Sequence, residues 1–179
     1  MARKLRIQYE GALYHVINRG NYRRDLFETT GAAEAFIQVL ESTVMQYEWK
    51  LHAYVLMKNH FHLAIETPMP NLVEGMHWLQ STLATRFNRF RKERGHLMQG
   101  RYQSVLVEDF STLGRVVDYI HLNPVRARVI EPEQVGAYRW SSLVRFMRGA
   151  HLAGSPQWIG WGWPAGAWMR GSGVSMSSI

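Results

Sequence analysis

Residues 51–68 read LHAYVLMKNHFHLAIETP, and this stretch sets the architecture of the chain. Two runs rich in β-branched and aromatic residues, 51–57 and 61–67 or slightly more, follow one another with little between them and Lys58-Asn59 at the junction, which is the pattern of a tight hairpin. Within the second run, period-2 alternation sends His60, His62, Ala64 and Glu66 to one face of a strand and Phe61, Leu63 and Ile65 to the other. Two imidazoles then stand about 7 Å apart at the backbone, and their ring nitrogens can converge on one cation. Taken alone, a His-x-His pair also fits two half-exposed strand histidines.

Upstream, LYHVINR (13–19) reads as a strand followed by Gly20-Asn21 turn chemistry. Thr29 or Thr30 can cap a helix over 32–47, where Phe36, Ile37, Leu40 and Val44 recur at helical spacing. Downstream, Pro68 and Pro70 stop the hairpin. Asn71 with Glu74 resembles a capping box, opening a helix to about Arg94 with Leu72, Met76, Leu79, Leu83, Phe87 and Phe90 as its apolar stripe. Residues 104–109 form a short strand, and Ser111 or Thr112 can start a helix that Pro124 ends near Leu122. The βαββαβ order predicts an α+β, ferredoxin-like core: an antiparallel sheet with helices packed on it. It occupies residues 1–148. From 149 to 179 Gly and Trp accumulate with no periodicity, which predicts a peripheral tail.

In the last helix, Leu113, Val116, Val117 and Ile120 define the core stripe. At about 100° per residue, Tyr119 and Asn123 share a face roughly a quarter-turn away, with Arg115 beside them. Tyr119 carries a phenol oxygen able to attack phosphorus, and the Asn123 amide oxygen, one turn on, can serve as a third, hard metal ligand beside His60 and His62. An interfacial tyrosine near a helix end is the plainer alternative.

The composition narrows the chemistry. With no cysteine, disulfides, thiolate zinc sites and cysteine nucleophiles are excluded. No apolar run approaches the roughly 18 residues of a membrane span, so no membrane association is expected. The N-terminal MARKLRIQYEG lacks the apolar core of a secretion signal, which makes the cytoplasm the expected location. The net charge of +7 is blocky: +5 over 1–24, −5 over 25–78, +5 over 79–101, −2 over 102–125 and +4 over 126–179. Separate basic segments suit a polyanion such as nucleic acid. The cations placed for phosphate contact are Arg19, Arg23 and Arg24 after the first strand, Arg86 and Arg89 on the second helix, and Arg101 and Arg126 around the last strand–helix unit. Tyr138, Trp140 and Ser141-Ser142 suit a packing corner better than base stacking.

The runs YHVINRG (14–20), LHAYVLMKNHFHLAIETP (51–68), GRYQSVLVED (100–109) and YIHLNPVRA (119–127) together resemble the single-tyrosine HUH transposases, closest to their REP-associated branch. That resemblance implies a ferredoxin-like core in which His60, His62 and Asn123 bind Mg²⁺ or Mn²⁺ and Tyr119 is the nucleophile. It implies cleavage and joining of single-stranded DNA beside a hairpin formed by an imperfect palindrome, through a 5′-phosphotyrosine and a free 3′-OH, by a monomer or homodimer. Two positions depart from the family: Lys58 stands for a proline and Gln103 for a lysine. The rival reading is a catalytically idle hairpin-binding protein for DNA or RNA on the same core. A plasmid-type replication initiator shares the histidine pair but carries a helicase-like extension that this chain lacks.

Overall fold

The computed structural model describes residues 6–149, so the expected Gly/Trp-rich tail, apart from Gly149, lies outside the described residues. Four strands, β1 (Ala12–Arg19), β2 (Lys50–Met57), β3 (His60–Thr67) and β4 (Gln103–Val107), pair antiparallel in the order β2-β3-β1-β4. With α1 (Thr30–Gln46), α2 (Leu72–Arg91) and α3 (Phe110–Arg126) between and after them, this is the expected ferredoxin-like arrangement. Among the described residues no helix is long and apolar enough to cross a membrane.

Strand alternation sorts the side chains into two layers. Tyr14, Val16, Phe61, Leu63 and Ile65 face the large core with Phe36 and Leu40 of α1 and Met76, Leu79 and Leu83 of α2. Ala53, Val55, Met57 and Ala64 face a smaller core closed by Leu113, Val117 and Ile120 of α3. His60 and His62 therefore point toward α3, away from the large core.

Several boundaries differ from the sequence expectation. Asn71 and Glu74 do not form a capping box: the Asn71 side chain accepts the Trp49 indole N–H at 2.7 Å and donates to the Tyr47 carbonyl at 3.0 Å. It ties α2 to the loop before β2 instead. Phe90 does not join the core stripe but is 81% exposed, one residue before α2 ends at Arg91, where Lys92 turns left-handed. The last helix begins at Phe110, not at Ser111 or Thr112, because the Asp109 carboxylate accepts the Thr112 N–H at 2.6 Å. The same cap ends the strand at Val107 rather than 109.

Pro124 does not end α3 near Leu122. It sits inside the helix, which runs on to Arg126, and Ala127 N–H still donates to Asn123 O at 2.9 Å. Only one ladder bond is lost, the one that a residue other than proline at 124 would donate to Ile120 O. Tyr119 and Asn123 thus stand on one unbroken helix.

Residues 138–142 explain why α3 sits where it does. Leu56 N–H donates to Trp140 O at 2.9 Å and Ser142 N–H to Tyr54 O at 3.0 Å, so the segment covers the outer edge of β2. The Tyr138 hydroxyl donates to Leu56 O, and Ser142 Oγ lies 2.8 Å from Nε2 of the buried His121 in α3. The packing role expected for Tyr138 and the serine pair holds.

The tightest approach in the large core is Gly75 of α2 against Trp49. A Cβ there would lie 2.1 Å from Trp49 Cζ2, and the fully buried indole is fixed by Asn71. Gly75→Ala should therefore destabilise the fold by about 1–3 kcal/mol, read as a lower melting temperature; an unchanged melt would show that Trp49 can move.

Candidate functional site

On the α3 side of the sheet, three histidines from two strands gather beneath one helix. β1 and β3 are neighbours with His15 opposite Ala64 and Ile17 opposite His62, so His15 and His62 are diagonal partners on the same face. Their rings stack at 5.2 Å, and His15 Nε2 lies 3.0 Å from His62 Nδ1. His60 completes the row, its ring 5.2 Å from that of His62.

Each member of the expected pair has one nitrogen engaged and one left for another partner. His60 Nδ1–H donates to Asn59 Oδ1 at 2.9 Å, leaving Nε2 with its lone pair. A proton shared between His62 Nδ1 and His15 Nε2 similarly leaves His62 Nε2 toward α3, where Asn123 Nδ2 lies 3.4 Å away. Turning that amide over presents its oxygen in the same place.

The electrostatics keep these rings neutral. Burial, then the neighbouring His15 and His60, push the His62 imidazole down to about 3. Burial also lowers His15, and burial followed by the Arg19 charge lowers His60. Neutral imidazole is the form that donates a lone pair to a metal.

Tyr119 stands over this row. Its ring is 5.8 Å from both His15 and His62, edge-on, and 39% of the residue is exposed. Asn123, by contrast, is buried. The Arg126 guanidinium lies 5.3 Å from the Tyr119 ring centroid, so a cation accompanies the phenol. Beyond α3 the floor stays open, since Val105 and Gln103 of β4 on this same face are exposed.

The donor set fits a hard divalent cation held by two neutral imidazoles and an amide, with solvent or substrate oxygens completing the sphere. No cluster of three or more His, Cys, Asp or Glu arranged for a metal occurs among the described residues, and Asp118, with its carboxyl raised by burial, lies a little over a quarter-turn from Tyr119 on the side away from Asn123.

His60, His62, Tyr119 and Asn123 are thus brought together. Arg126 joins them, and Arg19, opposite His60 across β1 and β3, reaches the same end of the row. The other cations scatter. Arg24 is spoken for, paired with Glu93 at 2.5 Å and lying over the Phe87 ring. Arg23 is exposed in left-handed backbone, Arg86 and Arg89 sit on α2 in the opposite layer, and Arg101 lines a separate cleft. Sequence reasoning missed His15; its signal was the alternation of Leu13, His15, Ile17 and Arg19 along β1.

Comparison with one solved structure supports the same architecture. The chain is similar to a REP-associated tyrosine transposase bound to a REP hairpin, with 19% identity, a TM-score of 0.69, and coverage of 89% of this chain and 92% of that one. It also matches a structure described as a transposase from Deinococcus radiodurans, at 21% identity and a TM-score of 0.47, covering 66% of this chain and 95% of that one. No curated protein matches. A family model described as transposase IS200 like matches residues 8–123, from just before β1 to Asn123, and the chain therefore belongs to the IS200-like transposase family.

Proposed function

We propose that this transposase cuts and rejoins single-stranded DNA beside a hairpin, with Tyr119 as nucleophile. The observation that carries the proposal is the half-exposed Tyr119 phenol standing over His15 and His62, one helical turn from Asn123. Phenol oxygen attack on phosphorus forms a tyrosine phosphodiester and releases the 3′-oxygen of the neighbouring nucleotide as a hydroxyl. The phosphodiester is kept in the covalent intermediate, so a 3′-OH from another strand can reverse the step and join.

His60, His62 and Asn123 would hold Mg²⁺ or Mn²⁺, which when bound polarises the phosphate and offsets charge building at phosphorus. His15 orients His62 through the bond between their rings, leaving His62 Nε2 free for the cation. Arg126 and Arg19 lie where the phosphates on either side of the reacting one would pass. The similarity in fold to a hairpin-bound transposase supports hairpin DNA as the partner. A cytoplasmic, DNA-accessible location suits this chemistry.

The decisive experiment incubates the full chain with single-stranded hairpins and Mn²⁺ or Mg²⁺ and looks for a covalent protein–DNA adduct on a denaturing gel. Hairpin binding with no adduct under either metal would favour the idle binder. His15 provides a finer check: His15→Ala should weaken metal affinity and cleavage about 10- to 100-fold, as loss of a ligand's hydrogen-bond partner does, while His15→Gln, which can still accept from His62 Nδ1, retains more of both. Equal metal affinity in both variants and the parent would remove His15 from the site.

A further inference from the structure

Outside the histidine row the structure holds an open cleft of about 610 Å³, walled by one side of α2 and by residues 21–22 and 95–101. Its size is that of a small-molecule pocket, roughly 300–1,000 Å³, rather than a flat protein interface. Four features of the wall point to one kind of occupant.

The first is Tyr22, whose ring is 92% exposed although its backbone is left-handed, at φ 52. A bulky residue in that conformation stores strain, and here no packing of the ring offsets it. Gly20 fixes the bend: a Cβ there would meet Arg24 O at 2.3 Å. The second is Gln80, whose Nε2 is buried without a hydrogen-bond partner among the described residues. A buried amide nitrogen in that state is satisfied by water or by an acceptor on a bound molecule. Third, the lining includes Arg101 and two histidines, His77 and His96, and no carboxylate.

The fourth is position. Gly20 N–H donates to Asn59 O, next to His60, and Gln99 N–H donates to Arg19 O, so main-chain bonds join the cleft wall to the end of the histidine row. The three chain steps from Arg19 to Tyr22 span at most about 11 Å. Tyr22 therefore stands near the Arg19 end of the histidine row in the chain.

We propose that this cleft holds one unpaired nucleotide of the bound DNA, with its base stacked on Tyr22, an acceptor on the base edge bonded to Gln80, and its phosphate on Arg101. The inference rests on the single-stranded-DNA reading above and adds to it a site where sequence can be read. Exposed aromatics and a basic rim are how proteins hold unpaired bases, and an amide supplies the edge contact that distinguishes them.

The test uses the full chain and a library of single-stranded hairpins whose unpaired flanks are randomised. The parent should select a preferred base in a flank. Tyr22→Ala should weaken binding to the selected hairpin about tenfold or more, with Tyr22→Phe close to the parent. Tyr22→Asn, which tolerates left-handed backbone, should melt no lower than the parent and still lose affinity, which separates a binding role from a structural one. Gln80→Leu should flatten the preference at one flank position, whereas Arg101→Gln should weaken all sequences alike and reduce the salt dependence. Parent-like affinity and base preference in both Tyr22→Ala and Gln80→Leu, in mixtures where the parent still forms its adduct, would overturn the cleft alone. A parent that neither binds hairpins nor forms an adduct would overturn the cleft together with the reading beneath it.

Discussion

Tyr119→Phe should fold, bind hairpins as the parent does, and form no covalent adduct. The substitution removes one oxygen and keeps the ring, so the edge contacts with His15 and His62 and the stacking with Arg126 survive. Tyr119 is 39% exposed and lies off the Leu113, Val117 and Ile120 stripe, which makes a folding defect the wrong explanation for lost activity. Cleavage should fall by roughly 10⁴- to 10⁶-fold, as it does when a covalent nucleophile is deleted. In the parent, mass spectrometry of a protease digest should map the adduct to Tyr119, joined to the 5′ phosphate of the downstream fragment. An adduct on Tyr102 or Tyr138 would name a different nucleophile, but Tyr102 is buried with its phenol pushed up to about 12 and Tyr138 is committed to Leu56 O.

Much of this site was legible because it rests on short-range periodicity. The alternation around His60 and His62 needs only the strand repeat of two, and the offset of Tyr119 from the core stripe needs only the helical repeat of 3.6. His15 needed more. It enters through the pairing of β1 with β3, a contact 47 residues distant in sequence, and no local pattern gives that register. The cleft is hidden for the same reason, since residues 21–22, 77–84 and 95–101 meet through contacts distant in sequence, among them the bridge of Gly20 to Met98 and the bond from Asn21 N–H to Leu97 O.

The boundaries were lost to competition between local signals. Asn71 has the residue type of a cap, yet the Trp49 indole and the Tyr47 carbonyl occupy its side chain. Asp109 outcompetes Ser111 and Thr112 because its carboxylate is in reach of the Thr112 N–H and carries charge favoured at a helix N-terminus. Pro124 looked like a stop, but tertiary packing carries α3 past it, with Asn123 and Pro124 both buried. The charge blocks were real and yet misleading about grouping. A basic segment says nothing about which layer its helix joins, and Arg86 and Arg89 went to the layer opposite Tyr119.

His62→Ala should abolish metal-dependent cleavage while the protein keeps its fold, and it should do so more completely than any change at Asn123. His62 sits at the junction of the row: its ring stacks on His15, meets His60 edge-on and faces Asn123. Removing it takes away one imidazole donor and leaves His15 without its partner, so both the ligand and its support are lost. The expected loss exceeds the roughly 10- to 100-fold of a supporting residue alone. His60→Ala should be comparably severe in cleavage, because the remaining imidazole and amide make too weak a set for a hard cation that already relies on solvent oxygens. Asn123→Ala should be milder, since water can take the place of a neutral amide oxygen. Folding should persist in all three variants, because the large core of Phe61, Leu63 and Ile65 lies on the other face of β3. Calorimetric titration with Mn²⁺ separates the outcomes: His60→Ala and His62→Ala should show no binding where the parent binds, with unchanged circular dichroism. If both variants cleave hairpins at the parent's rate, the histidine row is not the metal site, and Tyr119 must be assisted by Arg126 and the other cations around it.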